Sequence, residues 1–113
     1  MAIFYKIQGY DLSTSNLTTV LTVNTSSVAI VKEISIANNT GAANEVNFFV
    51  RDESATTSYK FYRNIVPSDS TDNAVNNTLI LEEGDSLQFQ SSVANAISGQ
   101  ISFALLTRQG ENG

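Results

Sequence analysis

An all-β domain, an antiparallel sandwich of about eight strands with a jelly-roll-like arrangement, is the fold this sequence predicts. Three observations carry the prediction. Short runs of Val, Ile, Leu, Phe and Tyr recur along the chain, separated by Ser/Thr/Asn-rich breaks at near-regular spacing. Within the runs, apolar and polar residues alternate with period two, as in a strand that buries one face. No apolar stripe of period 3.6 lasts for three turns, which argues against long helices and against a βαβ arrangement.

The elements follow in chain order. IFYKIQGY (residues 3–10) places Ile3, Tyr5 and Ile7 on one face. LTTVLTVN (17–24) aligns Leu17, Thr19, Leu21 and Val23, with threonines mostly opposite. VAIVKEISIAN (28–38) aligns Val28, Ile30, Ile34 and Ile36, but Lys32 falls on the same face. Either a bulge resets the register at that point or the lysine snorkels out at a sheet margin. NNTGAAN (38–44) is a turn, because Asn and Gly tolerate positive φ. EVNFFVRD (45–52) points Val46, Phe48 and Val50 inward and, through a loop at 53–57, forms a hairpin with SYKFYRNIV (58–66).

A long polar loop, PSDSTDNA (67–74), opens at the only proline. VNNTLIL, the turn EEGD and SLQFQSS, with Leu87 and Phe89 aligned, come next. Residues 91–98 read as a looser segment, compatible with a short helical turn over Val93, Ala94 and Ile97. GQISFALLTR closes the fold with Ile101, Phe103 and Leu105 inward, and residues 108–113 form a polar tail. The chain shows no internal repeat or linker, so residues 1–113 are expected to form a single domain.

Composition narrows the chemistry. Val, Ile and Leu number 26 and Phe six, enough apolar side chain for one core in a domain of 113 residues. The absence of Cys and His removes disulfides, thiolate nucleophiles and the commonest metal and acid–base groups. Six basic residues against eleven acidic ones leave a net charge of −5 and no basic stripe, so nucleic acid is not an expected partner, and neither is a membrane. No apolar run approaches a membrane span and no long apolar leader opens the chain, so a soluble, cytoplasm-made product is expected. Ser, Thr and Asn supply 37 residues and four Asn-X-Ser/Thr sequons, read as by-products of composition.

Each cluster of chemically capable residues has a simpler reading. Asp69, Asp72 and Asn73 offer the oxygen ligands a hard cation prefers, but they lack the EF-hand spacing and distal glutamate. A solvated loop explains them, and no metal or cofactor is expected. Glu82, Glu83 and Asp85 flank Gly84 in a tight turn rather than facing each other across a cleft, as a glycosidase requires. Serines have no imidazole base, and no S-x-x-K, P-loop or G-x-G-x-x-G motif occurs. Tyr59, Phe61, Tyr62 and Arg63 offer a stacking surface for a sugar or base, or an aromatic pair within the sheet. No enzymatic activity is expected.

Contact remains. Several strands place apolar residues on the face assigned to water: Phe4, Val20, Val31, Phe49, Tyr62, Ile80 and Leu106. A register displaced by one residue explains such a set, as does a strand buried on both faces, and so does a self-association interface. Of these residues, Phe4, Val20, Val31, Phe49, Tyr62 and Leu106 are the candidate interface.

Four segments together, VAIVKEISIANNTG, the strand ending in R-D-E-S, LILEEGDSLQFQSS and ISFALLTR, resemble small virion structural proteins of tailed bacteriophages. The likeness runs from Val28 to Arg108. It includes an L-x-L-x-x-G-D-x-L-x-x-x-S stretch from Leu79 to Ser91, which forms one hairpin of a β-sandwich in such proteins. The Gly-rich repeats and coiled coils of fibre shafts are missing. The resemblance implies a head decoration (cement) or tail-associated sandwich, made in the host cytoplasm and carried in the virion. Its implied partners are further copies of itself, most simply a homotrimer, and the major capsid protein or another virion protein. A glycan- or host-surface-binding module of a tail, or a neck or tail adaptor, is the alternative.

Overall fold

A computed structural model of the chain describes residues 2–75 and 78–107. Asn76, Asn77 and the polar tail at 108–113 lie outside the described residues. Nine strands and no helix occur among those described: β1 Ala2–Leu12, β2 Thr18–Thr22, β3 Ser27–Asn38, β4 Asn44–Asp52, β5 Thr57–Val66, β6 Thr71–Asn73, β7 Leu79–Leu81, β8 Ser86–Ser91 and β9 Ile97–Thr107. They form two antiparallel sheets. Sheet A has the order β1-β9-β3-β6, with β7 also on β3, and sheet B has the order β2-β8-β4-β5.

The ninth strand comes from a division rather than an addition. Both β6 and β7 pair with β3, at Ser35–Ala37 and at Ala29–Val31 respectively. Together they occupy one position beside β3, so the sandwich has eight positions in jelly-roll order. Strand β6 lies inside the segment PSDSTDNA that the sequence predicts as loop, because its three residues carry no alternating apolar signal. The expected helical turn near Val93 is instead a tight connection with Asn95 at φ 61°, leading into β9 at Ile97.

The bulge alternative explains Lys32. The β3–β9 register slips between Val31 and Glu33, leaving Lys32 as the extra residue. Before it, Ala29 and Val31 are buried; after it, Ile34 and Ile36 are. Val28 and Ile30, expected inward, therefore point out, and Val31, expected at an interface, lies in the core. A second slip, between Thr19 and Leu21 in β2, does the same on a smaller scale. It turns Val20, another expected interface residue, part-way into the core and leaves Leu17 exposed.

The core between the sheets centres on aromatic rings. Phe48 and Phe89 stack at 3.8 Å, and the Tyr10 ring meets Phe89 edge-on at 5.0 Å. Tyr10 belongs to sheet A and the two Phe to sheet B, so the cluster joins the layers. Burial pushes the Tyr10 phenol well above its ordinary pKa, with a smaller contribution from Tyr62. The hydroxyl donates to the Ser35 carbonyl at 2.7 Å, reaching from β1 to β3 across Gly99 of the intervening strand. Gly99 permits this crossing: a Cβ there would lie 1.9 Å from the Ser35 oxygen and 2.8 Å from the Tyr10 hydroxyl.

Gly99→Ala should therefore destabilise the fold by about 3 kcal/mol or more, since the overlap is with backbone as well as with a side chain. Tyr10→Phe should cost only about 1 kcal/mol, the value of one hydrogen bond. Urea unfolding of both variants checks the ranking; a Gly99→Ala protein as stable as the parent would contradict the close crossing.

Candidate interaction surface

Residues directly opposite in an antiparallel ladder share a face, so the registers define the two outer surfaces. On sheet A, Ile3, Leu106 and Val28 form one cross-strand row. Tyr5, Ala104, Ile30 and Ile80 form the next. Ile7, Ser102 and Glu33 form a third, where the surface turns polar. The first two rows contain no charge. Tyr5 is 83% exposed, Ile7 69%, and Ile3 and Ile80 54% each. The sheet thus presents a continuous apolar face on β1, β9, β3 and β7 to solvent.

The outer face of sheet B is different. Asn47, Gln88 and Gln90 occupy it, with Arg63 paired in two-pronged fashion to Glu45 at 3.1 and 3.3 Å. Hydrogen bonds from Asn47 and Arg63 hold the Glu45 carboxyl below its ordinary pKa. Phe49 and Ile65 are the apolar exceptions. Ile65 lies opposite Glu45 and is 53% exposed, whereas Phe49 is half-buried with the Lys60 ammonium 5.6 Å from its ring centroid, so that ring has an intramolecular partner.

The six expected interface residues therefore separate. Leu106 is half-buried within the apolar face of sheet A, and Ile80 from the wider set is exposed beside it. Phe4 is 49% exposed, but it belongs to the inward row with Leu105 and Ala29, at the open margin of the sandwich. Val31 is core, Val20 packs against the core and Phe49 lies on the other sheet.

Tyr62 also turns inward. It pairs with Phe48 across the β4–β5 hairpin, where a bulge leaves Phe61 as an extra residue. The two rings lie 5.6 Å apart. The Tyr62 hydroxyl donates to the Asp72 carboxylate, which also accepts from the Asn64 amide at 2.6 Å. This cluster ties β5 at the edge of sheet B to β6 at the edge of sheet A. Period-two reasoning missed these placements because each bulge inverts the strand beyond it.

Ile3, Tyr5 and Ile7, which sequence reasoning placed on the face opposite Phe4, lie on this exposed apolar face. Their alternation was read correctly, but β1 is an edge strand, and the face they share is not the one that meets sheet B. A cleft of about 270 Å³ lies beside them, lined by Tyr5, Lys6, Ile7, Lys32, Ser102 and Phe103.

The acidic turns serve the scaffold. Asp85 is buried and accepts from the Glu82 N–H at 2.9 Å and the Glu53 N–H at 3.2 Å. Gly84, at φ 85°, makes the turn possible. Asp69 is exposed at φ 51°, with its N–H on the Thr40 carbonyl. No group of three or more His, Cys, Asp or Glu suited to a metal occurs among the described residues.

No family model matches the sequence, and no curated protein matches it. Solved structures share the fold at low identity. A chain of the acid-stable capsid of Helicobacter pylori bacteriophage KHP30 superposes with a TM-score of 0.57 at 12% identity, covering 94% of this chain and 88% of that one. A protein of the infectious bursal disease virus T13 particle gives 0.57 at 8% identity over 96% of this chain, which spans about a third (32%) of that protein. The Bacillus endospore appendages, described as disulfide-linked pili, give 0.53 at 13% identity, covering 93% and 88% of the two chains.

The Tyr62–Asp72 bond makes a pH prediction. Burial raises the Asp72 pKa, but bonds from Tyr62, the Asn73 N–H and Asn64 outweigh it, and the carboxyl ends below its ordinary 3.8. Burial, then the bond to Asp72, pushes the Tyr62 phenol up from 10.0 to about 12. The carboxylate's stabilisation is present above 3.8 and lost as pH falls through the depressed pKa. The phenol's is complete below 10.0 and lost as pH rises towards about 12. Thermal melts should show the parent ahead of Tyr62→Phe across neutral pH, with the gap closing at both extremes. A gap independent of pH would contradict the pairing.

Proposed function

We propose that this chain is a structural component of a tailed-phage virion, a head decoration (cement) protein that works by contact rather than by catalysis. The observation that carries the reading is the uncharged apolar face of sheet A, which contrasts with the polar face of sheet B. A protein with one such face gains by laying it against another surface, since each fully buried side chain of this size contributes about 1.5–3 kcal/mol. Shared fold with capsid chains of two viruses is consistent with that use. The third neighbour is described as a disulfide-linked pilus, whereas these 113 residues contain no cysteine, so any assembly they make is not disulfide-linked. The virion analogy suggests closed symmetry on the shell, and a trimer at its three-fold positions is the arrangement that competes with a two-fold dimer.

Ile80 lies on the apolar face, is 54% exposed and sits on β7, away from the β1 edge. Ile80→Lys should leave the melting temperature within about 2 °C of the parent, as an exposed substitution does. It should also lower the copies retained on purified heads, counted by quantitative mass spectrometry. Immunogold label confined to the tail, together with binding on a glycan array, would replace this reading with the ligand-binding one.

A further inference from the structure

The β1 edge is unlike the other three edges of the sandwich. Strand β2 is five residues long and bulged, β5 is bulged and carries Lys60 and Arg63, and β6 and β7 have three residues each. Shortness, bulges and lysines are the devices that keep edges from pairing with other chains. Strand β1 runs eleven residues in unbroken register with β9, from Ala2↔Thr107 to Leu12↔Ile97. No other strand among the described residues pairs with its far edge. Residues 2–7 hold Ile3, Phe4, Tyr5 and Ile7, exposed on both faces, and a single charge, Lys6.

We propose that the β1 edge pairs antiparallel with the β1 edge of a second copy of this chain, about a two-fold axis through Tyr5, joining the two A sheets into one. The inference rests on the contact-protein reading and names the partner of this edge.

Register selects the second copy as occupant. Pairing that keeps apolar residues on a common face must bring together positions of the same parity. With Tyr5 opposite its own equivalent, Ile3 faces Ile7 of the second copy, and Ile7 faces Ile3. On the reverse face Phe4 meets Lys6 of the second copy, twice, placing each ammonium beside an aromatic ring. Sliding one strand by two residues, to an axis through Lys6, would set Lys6 against itself, a destabilising like-charge pair. The opposite slide, to an axis through Phe4, keeps apolar residues on a common face but sets Lys6 against Ala2 and removes both of its pairings with a ring. The axis through Tyr5 keeps the apolar row and gives Lys6 an aromatic partner. Edge pairing covers only the flanks of Ile3, Phe4, Tyr5 and Ile7, so the backbone ladder supplies most of the contact and the interface is smaller than the standard size of roughly 800 Å² per partner.

Single cysteines test the register, because the native chain has none. Opposed residues of an antiparallel pair lie roughly 4.5–5.5 Å apart at Cα, within disulfide range. Under mild oxidation Tyr5→Cys should form a covalent dimer on a non-reducing gel. Ile3→Cys and Ile7→Cys should each stay monomeric alone and crosslink when mixed. Tyr5→Lys should keep the fold by circular dichroism and weaken self-association at least about tenfold in sedimentation velocity, through two lost rings and two facing charges.

Failure of Tyr5→Cys to crosslink, or efficient crosslinking of Ile7→Cys alone, overturns the inference. So does a parent that sediments as a monomer at tens of micromolar, or as a closed trimer, since this contact is two-fold. Retention of the protein on heads in any of those cases leaves the virion reading standing. Correct crosslinks from a protein absent from virions would do the reverse.

Discussion

One extra residue in β3 sets the faces of sheet A. Strand β3 is flanked by β9 on one side and by β6 and β7 on the other, so its register reaches every strand of the sheet except β1, and β1 through β9. Lys32 bulges between Val31 and Glu33 and brings Val31 and Ile34 onto the same side. Without it, Glu33 and Ser35 would face the aromatic core while Ile34 and Ile36 faced water. The bulge also falls between the stretch that pairs with β7 and the stretch that pairs with β6, where the outer position of the sheet divides. A bulge bends its strand and increases local twist, so a single straight strand would not follow β3 past Lys32.

Packing then depends on polar contacts as much as on the apolar filling. Tyr10 crosses Gly99 to reach Ser35 within sheet A, while its ring packs on Phe89 of sheet B. At one end of the sandwich Asn38 is buried, and its amide is shared among the carbonyls of Ala42, Val66 and Pro67. Its side-chain oxygen accepts from the Thr40 N–H and from Asn44. The β3–β4 turn, the end of β5 and the loop before β6 are thereby held as one unit. At the other end Asp85 does the same for the turns at 53 and 82. A buried polar group left without a partner costs about 1–3 kcal/mol, so such hubs favour one arrangement of loops over its alternatives.

The same bulge shapes the exposed apolar face. Residues 28–31 are apolar at every position, so one alternate pair fills the core and the other, Val28 and Ile30, lies outside. Leu106 and Ala104 on β9 and Ile3 and Tyr5 on β1 continue those rows. Apolar residues on both faces of neighbouring strands make one side of the sandwich apolar and leave the other, with its Glu45–Arg63 pair and glutamines, mostly polar. A domain with two unlike faces has a defined orientation against whatever surface it meets.

Sequence alone determined the class of fold, the hairpin between β4 and β5, the inward set Val46, Phe48, Leu87, Phe89 and Ile101, and the presence of surplus apolar residues. Those features follow from local alternation and turn chemistry, which are written within a few residues. Sequence also signalled trouble at Lys32, because a charge on an apolar face demands either a bulge or a margin. Tertiary structure decided which face of each strand is inside. Val31, Val20 and Tyr62 moved inward, and Ile3, Tyr5 and Ile7 moved to the surface, because inside is defined by the opposing sheet rather than by the strand. Alternation has two faces of equal standing; only the packing of one layer on another distinguishes the buried one.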